Sequence, residues 1–124
     1  MREPIITDAL APAVGPFSAG VKSGESLYSS GQVAQDPATG LLIKGGVAEQ
    51  THQAITNIEA VLRAGGKTLA NVVKVNVYLT DMGDFQAMNQ VYAARFEKPY
   101  PARTTVAVVA LPLGAAVEIE VVAR

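Results

Sequence analysis

The chain has 124 residues, a mass of 12.9 kDa, a formal net charge of −1, one histidine and no cysteine. Without thiols there are no disulfides, thiolate metal ligands or cysteine nucleophile, and one imidazole cannot supply the usual zinc or serine-triad arrangements. An acidic balance with 6% aromatic residues argues against a nucleic-acid surface. No signal-peptide pattern and no run long and apolar enough to span a membrane is present, so a cytoplasmic protein is expected. The length predicts a single domain over residues 1–124. With 49% hydrophobic and 17% charged residues the chain is apolar for its size, which hints at a buried subunit interface.

Pro4-Ile5-Ile6 and Gly20-Val21-Lys22 read as short strands separated by a Pro/Gly-rich connection through Pro12, Gly15 and Pro16. Ser23-Gly24-Glu25 turns the chain into a strand over Ser26 to Ser30 that stops at Gly31. Asp36-Pro37-Ala38-Thr39-Gly40 is a turn by composition. Val47, Thr51, Ala54, Ile55, Ile58, Val61 and Leu62 recur at helical spacing, predicting a helix from Val47 to Ala64 closed by Gly65-Gly66. Val73, Val75, Val77 and Leu79 alternate with Lys74, Asn76 and Tyr78, the pattern of a strand with one helix-covered face. A second helix is expected from Asp84 to Phe96, with Phe85, Met88, Tyr92 and Phe96 on its apolar stripe.

The last quarter alternates as two strands around Leu111-Pro112-Leu113-Gly114. Paired as a simple hairpin, Val106, Val108 and Ala110 share one face with Val117, Ile119 and Val121. Arg103, Thr105, Glu118 and Glu120 then fall together on the opposite face. The element order gives an α+β layer, one sheet with two helices on one face. Its other face carries Lys74, Asn76, Tyr78 and the four polar residues just named.

Several collinear segments resemble the Rid/YjgF family: Gly15-Pro16-Phe17, Tyr28-Ser29-Ser30-Gly31-Gln32, Gln53 to Asn57, Asp84-Phe85 to Asn89-Gln90-Val91-Tyr92, Pro101-Ala102-Arg103-Thr104-Thr105, Leu111-Pro112 and Glu118-Ile119-Glu120. The resemblance spans essentially the whole chain. It implies a chorismate-mutase-like fold with a single mixed sheet, assembled as a homotrimer with sites in the clefts between subunits.

On its own, an arginine at a strand start reads as a solvated or interface charge. The resemblance makes Arg103 a carboxylate clamp, for which a guanidinium fork is suited. A backbone N–H at Thr105 is expected to add a donor. Glu118, alone a surface acid, becomes by resemblance the group that holds or deprotonates the attacking water; a bound anion nearby would raise its pKa. Glu120 reads as structural. Ser30, Gly31 and Asn89, otherwise a turn and a bridging amide, are placed by the resemblance at the substrate pocket. Phe17 departs from the family, where relatives with imine-hydrolase activity carry Tyr; Thr105 departs where Cys is common. His52 reads as a surface residue.

The resemblance implies hydrolysis of reactive enamine and imine intermediates, such as 2-aminoacrylate and 2-iminopropanoate, to 2-keto acid and ammonia. No metal or organic cofactor is needed, because the substrate already carries the activated C=N. A non-catalytic ligand-binding or chaperone-like module and a specialised, aminomuconate-type deaminase are alternatives. A ribonuclease is the weaker choice, given the charge balance and single histidine.

Overall fold

The computed structural model describes residues 1–124. The elements are β1 (Glu3–Pro4), β2 (Gly20–Ser23), β3 (Ser26–Ser29), α1 (Val47–Ala64), β4 (Val72–Leu79), α2 (Phe85–Arg95), β5 (Ala102–Ala107) and β6 (Val117–Ala123). The first strand is thus shorter and earlier than the apolar run Pro4 to Ile6 suggested, although the Ile5 N–H still bonds the Gly20 carbonyl at 2.7 Å. The six strands form one mixed sheet in the order β1-β2-β3-β6-β4-β5.

α1 starts where Glu49 reaches back to accept from the Gly46 N–H at 2.9 Å. It ends at Gly66, whose φ of 79° lets the Lys67 N–H close back on the Leu62 carbonyl at 2.8 Å. Between these caps, Ala54, Ile55, Ile58, Val61 and Leu62 are fully buried against the sheet. Val75, Val77 and Leu79 of β4 and Val117 and Ile119 of β6 meet them, and Met88, Tyr92 and Phe96 of α2 complete the layer. Each such aliphatic side chain contributes about 1.5–3 kcal/mol by leaving water.

Two sequence expectations are overturned here, and both concern register. The last two strands do not form a hairpin. β4 lies between them, antiparallel to β6 and parallel to β5, with α2 as the crossover that a parallel pair requires. The register opposes Val75 to Arg103 and Val77 to Thr105. Residues paired across strands share a face, so Arg103 and Thr105 turn to the helix side and Val106 to the open side, where it is 41% exposed. Glu118 and Glu120 do lie on the open face, opposite Tyr78 and Asn76. The second correction is Val73, which is 50% exposed, while Val72 takes the buried place. A register shift between Val72 and Lys74 inserts one residue and inverts the alternation there.

The segment after β3 is held against β6 and α1. Gln32 and Ile119 exchange backbone hydrogen bonds at 2.8 and 3.0 Å. Asn57, buried on α1, donates to the carbonyls of Val33 at 3.1 Å and Gln35 at 2.9 Å, and Gln53 donates to its side-chain oxygen. The single amide therefore pins the loop that follows Gly31. Replacing Asn57 with Ala strands two carbonyls in a region with little access to water. The expected loss is about 2–4 kcal/mol, read as a lower urea midpoint at fixed protein concentration; an unchanged midpoint would contradict this role.

Candidate active site

Arg103 stands half-buried on the helix side of β5, the edge strand. Its guanidinium carbon lies 4.6 Å from the Tyr92 ring centroid and 5.6 Å from that of Phe85, with the Met88 sulfur 4.0 Å from Nη1. This cradle of two π faces holds a cation without neutralising it. The one ion pair in the chain joins Arg95 to Glu59, elsewhere on the helices, and no carboxylate pairs with Arg103.

Arg103 opens on a 280 Å³ cavity lined also by Asn89, Tyr92, Ala93, Tyr100 and Pro101. Three buried side-chain oxygens lack a hydrogen-bond partner: Asn89 Oδ1, the Tyr92 hydroxyl and Thr105 Oγ1. All three belong to this neighbourhood, two on the cavity wall or beside it on α2 and one two residues along β5 from Arg103. The Tyr92 and Thr105 hydroxyls can donate to an anion held at Arg103, whereas Asn89 Oδ1 only accepts and suits an N–H donor. The backbone adds to the shortfall. The Val108 N–H bonds the Leu79 carbonyl of β4 at 2.7 Å. Strand alternation therefore turns the N–H groups of Arg103 and Thr105 away from β4, to the free edge of the sheet. From sequence Tyr92 belongs only to the apolar stripe. The signal for a further role was a hydroxyl on that stripe, one helical turn from Asn89. Burial raises its pKa, the Arg103 charge partly opposes this, and the phenol stays a neutral donor.

Glu118 belongs to a second constellation on the open face. Its carboxylate packs on the backbone of Gly31: a Cβ at that position would lie 2.6 Å from Glu118 Oε1. Gly31 is therefore needed for close approach, not for its dihedral angles. Phe17, Gly31 and Glu118 line one 390 Å³ cavity, with Phe17 56% exposed at its wall. The Ser30 hydroxyl donates to the Ser18 carbonyl at 2.6 Å and so fixes the strand end beside Phe17.

Burial lifts the Glu118 carboxyl above the ordinary carboxylate range, and the neighbouring Glu120 charge adds to the effect. Glu120 itself accepts from the Tyr78 hydroxyl at 2.5 Å and from Asn76 at 3.1 Å. That bond, with burial, pushes Tyr78 up to about 12. Glu120 is thus committed as an acceptor, which leaves Glu118 as the carboxylate free to take a proton. His52 is exposed and engaged with Arg95, remote from both groups. No three His, Cys, Asp or Glu side chains converge as a metal ligand set, and no helix is long and apolar enough to cross a membrane.

The structure thus brings Arg103, Asn89 and Thr105 together on one face, and Phe17, Ser30, Gly31 and Glu118 together on the other. It does not bring the two groups to each other within one chain.

The family model described as Endoribonuclease L-PSP matches residues 7–124. A relative from Bos taurus named 2-iminobutanoate/2-iminopropanoate deaminase is 48% identical, the match covering 96% of this chain and 88% of its own length. The crystal structure of RidA from the Antarctic bacterium Psychrobacter sp. PAMC 21119 superposes with a TM-score of 0.95 at 46% identity, over 99% of each chain. E. coli TdcF with bound serine superposes with a TM-score of 0.91 at 32% identity, over 98% of this chain and 97% of that one. A match of this extent, with the same single mixed sheet and two helices, means that the chain belongs to the Rid/YjgF family.

Proposed function

We propose that the protein hydrolyses 2-imino acids and their enamine tautomers to 2-keto acids and ammonia. The observation that carries this reading is the Arg103 guanidinium, which no carboxylate pairs, with the Tyr92 and Thr105 hydroxyls near it able to donate. A half-buried cation without an anion is costly unless its ligand supplies one, and a 2-imino acid presents a carboxylate of the right charge and shape. The deaminase name of the bovine relative and the serine bound in TdcF support a small α-substituted carboxylate as that ligand.

In this mechanism Arg103 takes the substrate carboxylate in a two-pronged hydrogen bond, with the edge N–H of Thr105 as a further donor. The protonated C=N draws electrons from C2. Glu118, as carboxylate, takes a proton from water as the oxygen adds to C2, giving a carbinolamine. Glu118 returns that proton to nitrogen, the C–N bond breaks with its electron pair leaving on ammonia, and the C2 hydroxyl gives its proton to the regenerated Glu118 carboxylate, and so to solvent, to become the keto oxygen. The Tyr92 hydroxyl donates on the carboxylate side, Asn89 Oδ1 accepts from the protonated imine nitrogen, and Phe17 and Gly31 shape the other side. The C=N is already activated, so positioning and charge complementarity suffice.

Arg103 and Glu118 face opposite ways from the sheet, so one small substrate cannot touch both in one chain. The reading therefore requires two copies to meet, the free edge of β5 from one against the open face of another, and a cyclic homotrimer does this with every site alike. A cytoplasmic location fits a role in clearing reactive intermediates. The net charge of −1 and single histidine favour this reading over the RNA cleavage that the family description suggests.

Replacing Arg103 with Ala should lower kcat/KM for 2-iminopropanoate by at least about tenfold to a hundredfold, the scale of a lost charged hydrogen bond, and Lys should recover little because an ammonium lacks the fork. Unchanged turnover in the alanine variant would remove Arg103 from the mechanism. The base must be ionised to work, so kcat/KM should rise with pH through the Glu118 titration, on a limb above the ordinary carboxylate range. Glu120→Gln removes the like charge and should move that limb to lower pH; a limb that stays or rises would contradict the assignment of the base.

A further inference from the structure

The turn into β6 contains the one residue with a side chain whose φ is positive. Leu113 has φ 60° and ψ 14°, followed by Gly114 at φ 70°. This left-handed region carries a steric cost for leucine that glycine escapes. Glycine at both positions would form the same turn, so the backbone alone does not explain a leucine. Nor does the core: Leu113 is 54% exposed and lies outside the buried cluster. Its side chain instead lines the 390 Å³ cavity with Leu10, Phe17, Val33, Gly31 and Glu118. A strained residue held at a cavity that contains a free carboxylate is the situation in which strain serves function.

The geometry points to Leu113 as a specificity-determining residue: with Leu10 and Phe17 it forms an apolar wall beside Glu118 that receives the substrate's side chain, favouring 2-imino acids with branched or extended apolar side chains over 2-iminopropanoate. This rests on the imine-hydrolase reading above. Two features of the cavity support it. It shares Gly31 and Glu118 with the proposed chemistry, so a substrate whose C2 lies near Glu118 has its side chain within reach of the wall. Phe17 puts a plain ring on that wall, with no phenol to bind a polar substituent.

The test generates imines in situ from L-leucine and L-alanine with an amino acid oxidase and compares kcat/KM for the wild type, Leu113→Gly and Leu113→Asn. Glycine relieves the backbone strain, and asparagine tolerates it while placing a polar group on the wall. The expected result is a wild-type preference for the leucine-derived imine and a leucine-to-alanine ratio about tenfold lower in both variants, with the melting temperature of Leu113→Gly not reduced. A ratio that does not move, equal losses on both imines, or a change confined to the oligomeric state would overturn the assignment. Failure of the wild type to hydrolyse either imine would instead sink the imine-hydrolase reading and this inference with it. Turnover of both imines with an unshifted ratio would sink the Leu113 assignment alone.

Discussion

Strand β4 is bonded along its length to β5 on one side and β6 on the other, and the geometry of the site follows from that placement. A strand paired on both edges imposes its alternation on both neighbours. Val75 and Val77, drawn inward by the core, take Arg103 and Thr105 with them. Asn76 and Tyr78, left outward, take Glu120 and Glu118. Because the β4–β5 pair is parallel, the chain must cross between them, and α2 is that crossover. It brings Phe85, Met88 and Tyr92 over the edge strand and so builds the cradle around the guanidinium. One pairing choice thus separates the cation from the carboxylate by the thickness of the sheet.

Each half then has a complementary deficit. On one side a cation has no anion, two hydroxyls are free to donate, and the edge strand has unpaired N–H groups. On the other, a carboxylate sits in an apolar cavity beside an exposed ring, and burial and Glu120 favour its protonated form. Neither half is a comfortable solvent surface. A small carboxylate bearing an electrophilic carbon, placed where two chains meet, would answer both deficits together.

Much of the fold could be read from residue patterns, because the strongest signals were local. The helical spacing from Val47 to Leu62 and the paired glycines after it located α1 with its observed bounds. The stripe Phe85, Met88, Tyr92, Phe96 placed α2 to within a residue at each end. The failures were non-local. Alternation in β5 and β6 says which residues share a face within each strand, but not how the two faces relate, and the Leu-Pro-Leu-Gly turn looked like a hairpin connection. The bulge at Val73 is likewise invisible to a period-two count, since it is defined by the partner strand. At the site, strand alternation alone leaves Arg103 and Glu118 as surface or interface charges, and only the family resemblance gives them roles. The roles of Asn57 in pinning a loop and of Leu113 in a strained turn depend on contacts that a linear pattern does not contain.

If Arg103 and Glu118 act on one substrate from different chains, the loss of either can be complemented between chains. Two variants, Arg103→Ala and Glu118→Gln, should each be nearly inactive alone. When they are unfolded together in equal amounts and reassembled, sites joining the intact Arg103 of one chain to the intact Glu118 of another should reappear. Random mixing would restore activity to about a quarter of the wild-type level per site. If both residues served a site within a single chain, every chain in the mixture would remain defective and activity would stay at the level of the separate variants. That result would rule out a site shared between chains.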